Sequence, residues 1–164
     1  MAVNRGKDFE TCVYNAFKRV PNVSIDRLHD QTTGFKGSKN ICDFIVYREP
    51  YEYYIECKSV HGDRLPFSNI TDNQWKGLLE KSKIEGVFAG IMCWWVDKDT
   101  TAWLPIEMLE YLKTKGQKSV ACYGDWLDLS GESPNWNWCW IVGKKKRVFF
   151  DYDMEGFLNA ILMS

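Results

Sequence analysis

The chain has 164 residues, of which 45% are hydrophobic and 26% charged, with a formal net charge of −1. That length supports one domain with a proper core, and the charge balance excludes a polycation drawn to nucleic acid by bulk attraction. No uninterrupted apolar run reaches the roughly 18 residues of a membrane helix, and the N-terminal MAVNRGKDFE has no apolar signal region, so neither a membrane span nor secretion is expected.

Residues 5–19, RGKDFETCVYNAFKR, place Phe9, Val13, Ala16 and Phe17 on one helical face, and Pro21 stops that helix. A short strand, VSIDRL, follows. The polar HDQTTGFKGSKN (29–40) has the glycine and threonine content of a surface loop. Residues 41–59 read as two strands joined by a tight turn at Arg48-Glu49-Pro50. HGDRLPFSNI is expected as a loop, and Thr71 or Asp72 as the cap of a helix through DNQWKGLLEKSKI with Trp75, Leu78 and Leu79 inward. GVFAGIMCWWV is apolar enough for a central strand covered on both faces, with TTAWLP as its hairpin partner across Asp97–Asp99.

A second amphipathic helix, IEMLEYLKTKG, ends at Gly116. SVACY reads as a strand, GDWLDLSGESPNWNWCW has no clear assignment, KRVFFDYD reads as the last strand and MEGFLNAILM as a closing helix. The order of elements describes one α/β domain over 1–164 with a mixed sheet flanked by helices. Six cysteines lie at 12, 42, 57, 93, 122 and 139, with no Cys-x-x-Cys pair of the zinc type. Free thiols in a reducing, cytoplasmic setting are the expectation.

Two acids interrupt the apolar hairpin: Asp43 at the start of its first strand and Glu56 near the end of the second, with Lys58 two residues on. Residues at i and i+2 of a strand share a face, so Glu56 and Lys58 project together. A turn near Glu49–Tyr51 brings Asp43 beside Glu56. Paired carboxylates repel unless a cation lies between them, and hard divalent ions bind through such oxygens together with substrate phosphates. A nearby lysine orients a water or offsets developing charge. The plain alternative is a strand-initiating Asp43 with a surface Glu56–Lys58 ion pair, worth under about 1 kcal/mol.

The ordered pieces NRGKDFE, CDFIVY, IECKS and LPFSNITDNQWKGL, through roughly residues 4–83, resemble the PD-(D/E)XK nuclease superfamily. More narrowly they are similar to RecU-type Holliday junction resolvases in their short, phage-type form. The apolar GVFAGIMCWW also fits, whereas nothing from about Lys113 onward matches a motif of that family.

The resemblance implies a restriction-endonuclease-like fold and an Mg²⁺- or Mn²⁺-dependent endonuclease of DNA recombination and repair. It would act as a homodimer in a bacterial host's cytoplasm and nick four-way DNA junctions symmetrically, without a nucleotide cofactor. It assigns Asp43 and Glu56 as principal metal ligands, the Cys57 backbone carbonyl as a further oxygen, Glu10 as the helix acid closing the site, Lys58 as the catalytic lysine and Gln74 as a supporting glutamine. Arg5, Lys7, Arg27, Lys36, Lys39 and Arg64, with the hydroxyls of Thr32 and Thr33, would contact DNA. Such contacts position a backbone and carry little base specificity.

Other features carry plainer readings. Asp30 is an extra acid near the site or a turn residue, and His29 and His61 are hydrogen-bonded loop histidines. Lys144–Arg147 is a solvated basic turn or a second DNA contact, and Trp136–Trp140 belongs to the core or to a dimer surface. Only about twenty residues separate the first helix from Asp43, so the projecting stalk of larger members is short or missing. The motif leaves open other substrates for the same chemistry, by an exonuclease or restriction-type enzyme. A non-catalytic binder of branched DNA is the alternative of a different class.

Overall fold

The computed structural model describes residues 4–29, 39–124 and 136–163. Helix α1 (Arg5–Lys18) starts where the Asn4 side chain accepts from the Lys7 amide, and it buries Phe9, Val13, Ala16 and Phe17, the face expected from their spacing. Strands β1 (Ser24–Arg27), β2 (Phe44–Arg48) and β3 (Tyr51–Val60) form an antiparallel meander, with Arg48 opposite Tyr51 across the two-residue connection. Strand β5 (Val87–Trp95) lies parallel to β3 on its other side, followed by antiparallel β6 (Thr100–Pro105) and the two-residue β8 (Cys139–Trp140). The main sheet therefore runs β1-β2-β3-β5-β6-β8, with β3 and β5 at its centre and a single parallel pair.

Parallel neighbours require a crossover. Here it consists of β4 (Arg64–Pro66), a 3₁₀ turn (Phe67–Asn69) and helix α2 (Asp72–Ser82). Helix α2 buries Trp75 and Leu78 against the sheet face also covered by α3 (Ile106–Thr114), which contributes Ile106, Met108, Leu109 and Leu112. The opposite face carries α1 and α4 (Met154–Leu162), where Phe9, Phe17, Phe157 and Leu158 meet Tyr53, Ile55 and Trp94. The mixed α/β architecture, a sheet between helices, is that expected from the order of elements. All six cysteines are free, and four of them are buried. None of the described helices is long and apolar enough to cross a membrane.

Two segments differ from the sequence-based expectation. Within the expected loop at 61–70, β4 pairs with β7 (Ser119–Ala121), placing Leu65 opposite Val120, both buried. The expected strand KRVFFDYD is instead the turn and second arm of a hairpin: β9 (Gly143–Lys146) pairs with β10 (Phe149–Tyr152), and Arg147 takes the left-handed conformation between them. The lysines of the basic run are thus strand residues. Their exposure removed the alternation by which a strand is read, because successive lysines, pointing to opposite faces of the ribbon, are all exposed to water. Trp136, Trp138 and Trp140 pack half-buried against the core on the α2/α3 face, in keeping with the core reading.

Candidate active site

The ladder between β2 and β3 ends at Phe44, opposite Ile55. Asp43, just before it, stays anchored: its amide donates to the Ile55 carbonyl at 3.0 Å, and its carbonyl accepts from the Leu28 amide at 2.8 Å. Its side chain then turns into the place the next β2 residue would have occupied. Asp43 Oδ2 accepts the Cys57 amide at 2.8 Å, replacing a ladder bond. By strand alternation the Cys57 carbonyl emerges on that same edge of β3, beyond the end of β2.

Glu56 is 4% exposed and is one of two buried polar or charged residues, with Thr101, among those described. Its Oε1 accepts from Lys58 Nζ at 2.9 Å and from Gln74 Nε2 at 2.8 Å. Gln74 Oε1 in turn accepts from Lys58 Nζ at 3.4 Å and from the Thr71 amide at 3.1 Å. The latter bond is half of a capping box, completed by Thr71 Oγ1 accepting the Gln74 amide at 3.2 Å. One amide side chain thus both caps helix α2 and holds the central carboxylate. Gly77 lets the helix come this near, because a Cβ there would lie 2.2 Å from Ile41 Cγ2.

The electrostatics follow from burial. Asp43 is pushed up to about 7, first by desolvation and then by the Glu56 charge, against the opposing Cys57 amide and Lys58. Glu56 is raised by desolvation too, with Lys58 as the main opposing influence and a proton offered by Asp43 as another. Two acids held from water beside each other call for a cation, and the donors around them are carboxylate and carbonyl oxygens suited to a hard ion. No group of three His, Cys, Asp or Glu side chains among the described residues forms a complete metal cage by itself.

Glu10, from α1, approaches closely enough for its charge to raise Glu56. Its Oε2 accepts from Arg27 Nη2 at 3.2 Å, and the Arg27 guanidinium lies 5.9 Å from the ring centroids of both Tyr14 and Phe44. Arg27 is therefore engaged with Glu10 and two rings, contacts that no periodicity in the chain foretells. Arg5 and Lys7 occupy the first turn of α1, half-buried and exposed respectively. Lys39 is exposed, and its carbonyl accepts from Asn73 Nδ2 at 2.9 Å. Arg64 is tied to β7 through Nε donating to Ser119 Oγ at 2.7 Å. Asp30, Thr32, Thr33 and Lys36 lie outside the described residues.

Of the two histidines, His61 has its Nδ1 3.1 Å from Asp97 Oδ1, and that carboxylate also accepts the Gly62 amide at 2.6 Å. The His29 carbonyl accepts from Asn40 Nδ2. Asp43, Glu56, Lys58 and Gln74 are thus drawn into one contact network, with Glu10 at its margin and His61 apart from it.

No family model matches the chain, and no curated protein matches it. Among solved structures it is similar to Hjc of Archaeoglobus fulgidus, a Holliday junction resolvase from an archaeal hyperthermophile, at 15% sequence identity. The TM-score is 0.46, and the similarity covers 64% of this chain and 75% of that one.

Proposed function

We propose that this chain is a metal-dependent endonuclease of restriction-endonuclease-like fold, a single nuclease domain that resolves four-way DNA junctions as a homodimer. The observation that carries the reading is the meeting of Asp43, Glu56 and Lys58 at the open edge of β3. The ordered motifs through residues 4–83 support it. The two-fold symmetry of paired nicks calls for two sites related by an axis, hence the dimer.

Asp43, Glu56 and the Cys57 carbonyl would hold Mg²⁺ or Mn²⁺, with Glu10 closing the set, and the ion would supply charge neutralisation at the phosphate and a more acidic water. Lys58 donates from the side of Glu56, where its ammonium orients the attacking water and offsets charge developing on the phosphoryl oxygens. Gln74 keeps Glu56 from rotating as Lys58 exchanges one partner for another. Attack in line at phosphorus leaves 5′-phosphate and 3′-hydroxyl ends. Arg5 and Lys7 of α1, with Lys39, supply phosphate contacts whose affinity falls with salt.

The test is an end-labelled four-way junction incubated with Mg²⁺ and with EDTA, beside a linear duplex of the same arms. Paired symmetric nicks that require metal are expected, and Asp43→Asn or Glu56→Gln should abolish cutting while sparing junction binding. Preferential degradation of linear ends would place the same chemistry in an exonuclease. The Lys58–Glu56 pair, which neutralises Glu56 without a metal, favours a second reading, a non-catalytic binder of branched DNA. Junction binding with no metal-dependent product would establish it.

A further inference from the structure

The register of the sheet carries the row of Lys58 across to a second feature. Lys58 lies opposite Cys93, Cys93 opposite Ala102, and Ala102 opposite Trp140, so these four side chains leave the same face of the sheet in one line. Three strand spacings, roughly 14 Å, separate Lys58 from Trp140. There the sheet ends in an open cleft of about 320 Å³, near the lower end of the range for small-molecule sites.

Its walls are aromatic. Tyr123, 65% exposed, and Trp140 stand with ring centroids 5.5 Å apart, and the stacked rings of Phe150 and Tyr152 form the far side. The interior has a polar point in Thr101, whose hydroxyl is 2.8 Å from the Tyr152 hydroxyl. Gly143 leaves the cleft free of a side chain at one edge, since a Cβ there would stand 2.9 Å from Tyr152 Cδ1. At the mouth Lys145, opposite Phe150 in the β9–β10 ribbon, pairs with Asp99, and Lys98, next to Asp99 in the chain, is exposed.

We propose that this cleft binds one unpaired nucleobase of the DNA whose phosphate is cut at Lys58, a proposal that rests on the nuclease reading above. Aromatic walls with a polar point accept the π-face of any base, and the lysine beside Asp99 at the mouth accepts a neighbouring phosphate; this pairing serves single-stranded recognition without sequence preference. At 3.4 Å per nucleotide along a duplex strand, the distance corresponds to about four steps from the scissile phosphate. An extra-helical or single-stranded base there would select branched or frayed substrates over perfect duplex.

The experiment compares binding, in EDTA so that nothing is cut, of a blunt duplex and of the same duplex carrying a short single-stranded tail. Wild type should prefer the tailed form. Tyr123→Ala should reduce that preference roughly tenfold, the size expected for one lost base stack. Tyr123→Phe, which keeps the ring and loses only the hydroxyl contact to Thr100, should retain it. Tyr47→Ala, an exposed tyrosine on β2, is the control and should leave the ratio alone.

An unchanged ratio in Tyr123→Ala, with DNA still bound and cut, overturns the cleft and leaves the nuclease reading standing. Loss of preference in Tyr123→Phe as well would make the Thr100 contact, not the ring, responsible, and also overturns it. Failure of wild type to bind any DNA overturns both readings. A fall in self-association by sedimentation with the ratio unchanged would reassign the cleft to contact between copies of the chain.

Discussion

Asp43 sits where burial and Glu56 both oppose ionisation, and only the Cys57 amide and Lys58 favour it. In the unfolded chain an aspartate loses its proton near pH 4, whereas here burial and the Glu56 charge push that up to about 7. Between those values the unfolded state binds fewer protons than the folded one, so the stability that the bound proton confers is complete below about pH 4 and is lost as pH rises through about 7. Asp43→Asn, neutral at every pH and equal in size, should therefore raise Tm by several degrees at pH 8 in EDTA, with little gain at pH 4.5. Scanning calorimetry at the two pH values decides it, and a Tm below wild type at pH 8 would remove the electrostatic account. Excess Mg²⁺ at pH 8 should raise the wild-type Tm and leave the Asn variant nearly unmoved.

Arg27 acts at the same scale through Glu10. Arg27→Met keeps an apolar stem over Tyr14 and Phe44 and removes the charge that holds Glu10. Turnover should fall by roughly tenfold or more, the usual cost of losing a partner that orients a metal ligand, with KM for DNA less affected. A change confined to KM would return Arg27 to simple phosphate contact. Thr71 was legible as a cap, but the pairing of Arg27 with Glu10 could not be read from the chain beforehand. A guanidinium that reaches back 17 residues to an acid is invisible to periodicity, and a capping box discloses a helix start without disclosing that its glutamine also holds a carboxylate.

Among the elements, α2 bears the closest fit. Alanine at position 77 would ordinarily favour a helix by about 1 kcal/mol over glycine. Here its Cβ would strike Ile41, the residue two before Asp43. Overpacking of that kind costs about 1–3 kcal/mol. Gly77→Ala should thus lower Tm by a few degrees and, by moving α2 outward, weaken the Gln74–Glu56 bond and slow cutting. A Tm equal to or above wild type would show that the helix and the Ile41 turn are not in firm contact.

Elements with a buried face were the legible ones. The spacing in α1, the capped start of α2, the apolar and aromatic hairpin β2–β3 and the apolar run of β5 each announce one, and with them came the positions of Asp43, Glu56 and Lys58. The three-residue β4 offers too few positions for a period to show, whereas its partner β7 lies within SVACY, which reads as a strand. The lysines of β9 carry no apolar side, so a strand there is specified by its partner β10 alone. Trp140 could be recognised as a large ring to be covered, but only the pairing through Ala102 and Cys93 reveals that it stands in the row of Lys58.

At the level of the whole molecule, two helical layers enclose the sheet, and the thiols are distributed through it. Cys57 lies on β3 directly behind the acids, and Cys93 stands opposite Lys58 on β5. Burial lifts both thiols well above the ordinary cysteine range, whereas Cys12 is only partly covered. An alkylating reagent needs a thiolate it can reach. The chain consequently contains its own clock for the opening of its centre, with no probe to be introduced. Pulsed iodoacetamide followed by mass spectrometry should label Cys12 early, and Cys57 and Cys93 late and at the same rate, because the parallel pair parts only when the sheet as a whole comes undone. Should Cys57 react long before Cys93, the strand bearing Glu56 and Lys58 would be able to lift away alone, and the rigid support of the site would be a hinge.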